Sequence, residues 1–139
     1  MPHLAHVTLV VPDYDEALAF YVGTLGFTLV EDTPLDGKRW ITIRPPGAPG
    51  GVRGEGATIL LARAATPEQQ AAIGNQTGGR VAFFLATDDV ARDHAAFTAA
   101  GVDWVRAPVR AAYGIVAVFR DPFGNLWDLI EYRPAAAYR

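Results

Sequence analysis

Apolar and polar positions change period along this chain in a fixed order, and the order occurs twice. The first run, 6–11 (His-Val-Thr-Leu-Val-Val), is short and rich in β-branched residues and stops at Pro12-Asp13, which reads as a buried strand. Asp13 and Glu16 make a capping-box-like helix start, and Tyr14, Ala17, Leu18, Tyr21 and Leu25 then recur at helical spacing up to Gly26. Segments 27–31 and 39–44 read as strands on either side of the turn Pro34-Leu35-Asp36-Gly37. A loop rich in Gly and Pro, 45–56, leads to a fourth strand at 57–63. Segment 66–74 then offers Thr as N-cap and Pro at the first helical position, which predicts a short linking helix.

From there the order repeats. Segment 80–85 is a second apolar run. A second helix over 88–100 carries Val90, His94 and Phe97 at core spacing and is closed by Gly101, and strands follow at 102–106, 114–120 and 126–132. His6-Val7-Thr8-Leu9-Val10-Val11 lies over Arg80-Val81-Ala82-Phe83-Phe84-Leu85, and each run leads into an acidic cap and a helix ended by glycine. The expected fold is α+β, a single domain over 1–139: one βαβββ module at about 1–64, the linking helix at about 66–76, and a second βαβββ module at about 78–134. Each sheet packs one face on its helix and leaves the other open, so the two form a cupped mixed sheet around a cavity. The open faces would carry His6, Thr8 and Val10 from the first strand, Trp40, Thr42 and Arg44 from the third, and Arg80, Ala82 and Phe84 from the fifth.

The last strand adds the chemistry. Asp121-Pro122-Phe123-Gly124-Asn125 is a turn in which Pro presets φ, Gly and Asn tolerate positive φ, and the Asp side chain can bind its own backbone. Beyond it, alternation puts Leu126, Asp128 and Ile130 on one face and Trp127, Leu129 and Glu131 on the other. Asp128 is thus a lone carboxylate between aliphatic neighbours and needs a cation, a metal, a donor or water.

Composition narrows the function classes. Half of the residues are hydrophobic, which points to buried surface beyond one ordinary core, such as an apolar pocket or a homodimer interface. Net charge is -3 and no basic run occurs, which argues against nucleic-acid partners. Without cysteine there is no disulfide framework, thiolate nucleophile or Cys zinc site. The N-terminal apolar run is too short for a signal peptide or a membrane span, so a cytoplasmic protein with no membrane partner is expected.

His6-Val7-Thr8-Leu9-Val10-Val11, Ala19-Phe20-Tyr21 running into Leu25-Gly26-Phe27, and Asp121-Pro122-Phe123-Gly124-Asn125 with the strand after it resemble the vicinal oxygen chelate superfamily. That superfamily includes glyoxalase I, bleomycin-resistance and fosfomycin-resistance proteins and extradiol dioxygenases, and the resemblance spans nearly the whole chain. It implies a glyoxalase-like fold, and for the enzymes a divalent metal held at four positions. On this chain those positions are His6, about Leu60, Arg80 and Asp128. Leu60 offers no ligand, and Arg80 is always protonated and has no lone pair. His6 and Asp128 form an incomplete metal set, and an Arg80–Asp128 ion pair in the cavity is the expected arrangement.

The resulting expectation is a glyoxalase/bleomycin-resistance-like protein that binds a small molecule, anionic ligands included, in a cavity centred on His6, Arg80 and Asp128. Arg80, Trp40, Thr8, Phe84 and Tyr113 would contact the ligand, with no tightly bound cofactor or at most a labile divalent metal. The alternative is a metal-dependent lyase, isomerase or dioxygenase-like enzyme in which a metal on His6 and Asp128 accepts two neighbouring substrate oxygens. No catalytic residue is assigned. His94 and Trp127 are expected to be core residues.

Overall fold

The computed structural model describes residues 1–47 and 56–134, so most of the Gly- and Pro-rich loop expected at 45–56 lies outside the described residues. The chain divides into two units, Met1–Gly74 and Asn75–Arg139. Each holds one four-stranded mixed sheet, so the two-module α+β plan expected from the sequence is present.

In the first unit, β1 (His6–Val11) leads into α1 (Tyr14–Leu18), and the strands β2 (Thr28–Leu35), β3 (Lys38–Arg44) and β4 (Thr58–Arg63) complete a sheet of order β1-β4-β3-β2. The Asp13 carboxylate accepts from the Glu16 amide at 2.8 Å and starts the helix. Beyond Leu18 the helix widens into a π-helical turn, Ala19–Thr24, whose Leu25 amide reaches back to the Phe20 carbonyl. Tyr14, Ala17 and Tyr21 pack with Leu9, Val11, Ile41, Ile43 and Leu61 into a dry core. The alternate residues His6, Thr8, Leu60, Trp40, Thr42 and Arg44 occupy the other face.

Strand β2 runs past the expected 27–31 and ends at Leu35, because the reversal is tighter than Pro34 implied. Gly37 takes φ 73° in the turn, and Pro34 pairs opposite Arg39 in an outer strand, where its missing N–H breaks no inner ladder. The linking helix α2 (Pro67–Ala72) begins as expected, with Thr66 Oγ1 accepting from the Gln69 amide at 3.2 Å.

The second unit repeats the plan. Strands β5 (Phe83–Ala86), β6 (Asp103–Ala111), β7 (Gly114–Arg120) and β8 (Leu126–Tyr132) form a sheet of order β5-β8-β7-β6. Helix α3 (Val90–Ala99) is capped by Asp89, and the Glu131 carboxylate accepts from the Val90 amide at 2.9 Å. A row of paired residues, Phe83-Trp127-Phe119-Trp104, crosses all four strands and meets Phe97 and His94 of α3, so both Trp127 and His94 serve packing.

Strand β5 starts three residues later than 80–85 implied. Gly78 and Gly79 both have positive φ, and the Thr77 hydroxyl donates to the Arg80 carbonyl at 2.7 Å. The turn therefore closes on Arg80, which stays outside the ladder. Strand β6 extends beyond 106 through two register irregularities, one of them spanning Pro108. Among the described residues no helix is long and apolar enough to cross a membrane.

Candidate functional site

On the first sheet, parallel pairing of β1 with β4 sets His6 beside Thr58. His6 Nδ1 lies 2.6 Å from Thr58 Oγ1, and the Trp40 ring meets the imidazole edge-on at 5.5 Å. These two contacts orient the ring. Next to it a cavity of about 700 Å³ is lined by His6, Glu31, Thr42, Arg44 and Thr58, with His3, Ala5, Val30 and Gly56 completing the wall. Thr42 is fully buried and Arg44 only 6% exposed, an unusual pairing of polar side chains at the back of a cavity. Arg44 Nη2 donates to the Gly56 carbonyl at 3.4 Å. A second concavity of about 440 Å³ on the same unit takes in Thr8, Val10, Trp40, Leu60 and Ala62.

On the second sheet, register places Phe84, Asp128, Val118 and Arg106 in one row on the face opposite α3. Partial burial pushes the Asp128 carboxyl above the ordinary carboxylate range, and the positive charge of Arg106 offsets this in part. The cation acting on Asp128 is therefore Arg106. Arg80 is exposed in the turn ahead of β5, and among the described residues the ion pairs do not include Arg80 with Asp128. Phe84 is 63% exposed on its face, and Tyr113 is 41% exposed in the β6–β7 turn, its carbonyl accepting from the Arg133 amide at 2.8 Å.

The raised Asp128 value has a stability consequence. The folded carboxyl keeps its proton to higher pH than the unfolded one, so between the two values the folded state carries more protons. Stability falls as pH rises through that window, and the cost persists at neutral pH. Asp128→Asn removes the charge and is expected to stabilise the protein at pH 7 by up to about 1 kcal/mol, a gain that shrinks as pH falls toward about 4. Thermal melts of both proteins across that range check this, and an equal offset at every pH would contradict it.

A duplicated βαβββ plan defines the fold of the chain and leaves its chemistry to particular residues. The chain belongs to the Glyoxalase/Bleomycin resistance protein/Dioxygenase superfamily, whose sequence pattern it matches over residues 3–129. An uncharacterized protein of Shewanella frigidimarina (strain NCIMB 400) is 50% identical over 130 residues, 92% of each chain. A superfamily member from Sphaerobacter thermophilus DSM 20745 shares the structure with a TM-score of 0.75 at 29% identity, over 94% of this chain and 98% of that one. TnmS3, an antibiotic binding protein from Streptomyces sp. CB03234, matches with a TM-score of 0.74 at 29% identity, over 96% and 98%.

The metal associated with enzymes of this superfamily fits poorly here. Leu60 presents hydrocarbon and Arg80 presents only donors, so of the four family positions only His6 and Asp128 carry metal-ligand chemistry. His6 keeps one ring nitrogen, since Nδ1 is engaged by Thr58. Among the described residues no group of three or more His, Asp or Glu side chains stands at metal-binding spacing.

Proposed function

We propose that the protein binds a small organic molecule on its open sheet faces and does so without a tightly bound metal. The cavity of about 700 Å³ backed by Thr42 and Arg44 and edged by His6 carries this reading, since it has the size and the sparse polar lining of a ligand site. Trp40 and Thr8 flank it on the same sheet, and, separately, Phe84 is an exposed aromatic side chain of the second unit. Arg80 and Tyr113 are exposed and free to meet a ligand from solvent. The antibiotic-binding character of TnmS3 supports a binding role over a catalytic one. Apolar side chains exposed on the single chain, among them Val105, Val109 and Tyr132, support a homodimer.

Metal analysis of the purified protein, followed by calorimetric titration with Zn²⁺, Ni²⁺, Mn²⁺ and Fe²⁺, tests the metal-free part. Well under about one equivalent is expected, because the family positions supply two donors where a stable site needs three or four. Stoichiometric uptake abolished in both His6→Ala and Asp128→Asn would overturn it and make the chain a metal-dependent lyase, isomerase or dioxygenase-like enzyme.

A further inference from the structure

We infer that the concavity of about 440 Å³ in the first unit takes the carboxylate end of an apolar organic acid, with Arg63 and Lys38 as its handle. The inference rests on the open-face binding reading and names the ligand class that this end of the face selects. Thr8 and Val10 of β1, Leu60 and Ala62 of β4 and Trp40 of β3 give the concavity a largely apolar floor. Lys38, Arg39 and Arg63 also line it, and among the described residues no Asp or Glu does. Arg39 is already answered, by Asp15 at 2.8 Å and Asp32 at 2.7 Å. Lys38 and Arg63 take part in no ion pair among the described residues.

Arg63 is held in place without being neutralised. Its Nη2 donates to the Gly37 carbonyl at 3.2 Å, and its guanidinium carbon stands 5.1 Å from the centre of the Tyr14 ring. The bond to Gly37 sets Arg63 beside Lys38, the next residue in the chain. The other polar groups of the lining offer hydrogens as well. Gln69 Oε1 accepts from the Ala65 amide at 2.7 Å, which leaves the NH2 group, a donor, for a ligand. Tyr14 is buried, its hydroxyl oxygen accepts from the Arg39 amide at 3.4 Å, and its hydroxyl proton has no acceptor among the described residues. Two cations, an amide NH2 and a phenol proton over a hydrocarbon floor match a molecule with an apolar body and a negatively charged acceptor at one end, which is the form of a carboxylate. Lys38 and Arg63 are exposed, so one such bond alone gives little, and the selection comes from several acting on one group.

Octanoate and octanol share a chain and differ in charge, so a backbone-amide NMR titration of each against the full chain tests the handle. Octanoate is expected to move the Lys38, Trp40 and Arg63 amides saturably and to bind about tenfold tighter than octanol. Arg63→Met is expected to remove most of that preference, Arg63→Lys to keep a reduced one because it retains charge without the fork, and Arg80→Met to leave it unchanged. Combining Lys38→Met with Arg63→Met should bring the two probes to equal affinity. Lys38→Met alone, which removes an ammonium that holds no other side chain among the described residues, should lower the preference about twofold and serves if the Arg63 variants fail to fold. Equal binding of the two probes to the unaltered protein, a preference that survives the double variant, or one lost with Arg80→Met overturns the handle and leaves the open-face reading standing. Shifts confined to the cavity of about 700 Å³ do the same. Shifts at no residue of either cavity with either probe overturn both.

Discussion

Trp127→Ala is expected to lower the stability of the protein by about 4–5 kcal/mol, the larger of the two strongest effects foreseen. Trp127 is 2% exposed and stands at the centre of the aromatic row of the second sheet. It stacks on Phe83 at 4.5 Å and on Phe119 at 5.8 Å with planes 11° apart. Phe119 in turn meets Phe97 of α3 and Trp104 of β6 edge-on. Removing the indole leaves a cavity that rigid neighbours on the two adjoining strands cannot collapse into, so both transfer and cavity costs are incurred. Trp127→Phe retains the stacking and should lose only about 1–2 kcal/mol. Guanidinium chloride titrations followed by far-UV circular dichroism give both values, and a loss under about 1 kcal/mol for the alanine variant would mean that the row is not a unit.

Gly114→Ala is expected to cost about 3–4 kcal/mol although it adds a single methyl group. Gly114 opens β7 with φ 151°, a conformation rarely taken by residues with a side chain. A Cβ built there would lie 2.1 Å from the Glu131 carbonyl oxygen and 3.0 Å from the Tyr132 Cα, both backbone. Neither can swing aside, so β7 and β8 must separate at their paired end, Gly114 with Tyr132. The same denaturation measurement checks the loss, and amide exchange should show it concentrated at Ile115, Glu131 and Tyr132. Gly23→Ala is the control, because nothing lies within 4 Å of the added atom and φ there is ordinary.

The residues that could be read correctly from the sequence are those whose signal is local. Asp13 and Asp89 cap their helices through residues three positions on. The Asp121 carboxylate binds the Phe123 and Asn125 amides and the Asn125 side chain within one turn. Alternation alone assigned Trp127 to the core and Asp128 to the opposite face. The strand expected from Arg80 begins three residues later for a local reason as well: alternation continues smoothly back through Arg80, while the turn at Gly78-Gly79 consumes it before the ladder begins.

What escaped the sequence depends on pairing between distant segments. Arg106 comes to share a row with Asp128 only through Val118, and a register irregularity in β6 shifts it into place. Arg44 reads as an ordinary charged strand end. Its burial comes from tertiary surroundings, with Thr28 paired beside it and Gly56 accepting from it, and no spacing rule encodes either partner. The polar alternation Trp40, Thr42, Arg44 was the available signal. Its weight became apparent only when Thr42 and Arg44 proved buried.

Pro34 in β2 and Pro108 in β6 bear on how newly made chains avoid one another. Each belongs to the outermost strand of its sheet, and each removes a backbone donor that an incoming chain would need in order to extend the sheet. Irregularities at Leu29/Glu31 in one strand and around Pro108 in the other also twist these borders out of line with any straight partner. A polypeptide that carries two similar copies of one sheet plan faces an unusual hazard, since a border left open in one copy would be a template for the matching copy in another molecule. Closing the same border in both copies, by the same residue type, keeps runaway polymerisation from competing with folding.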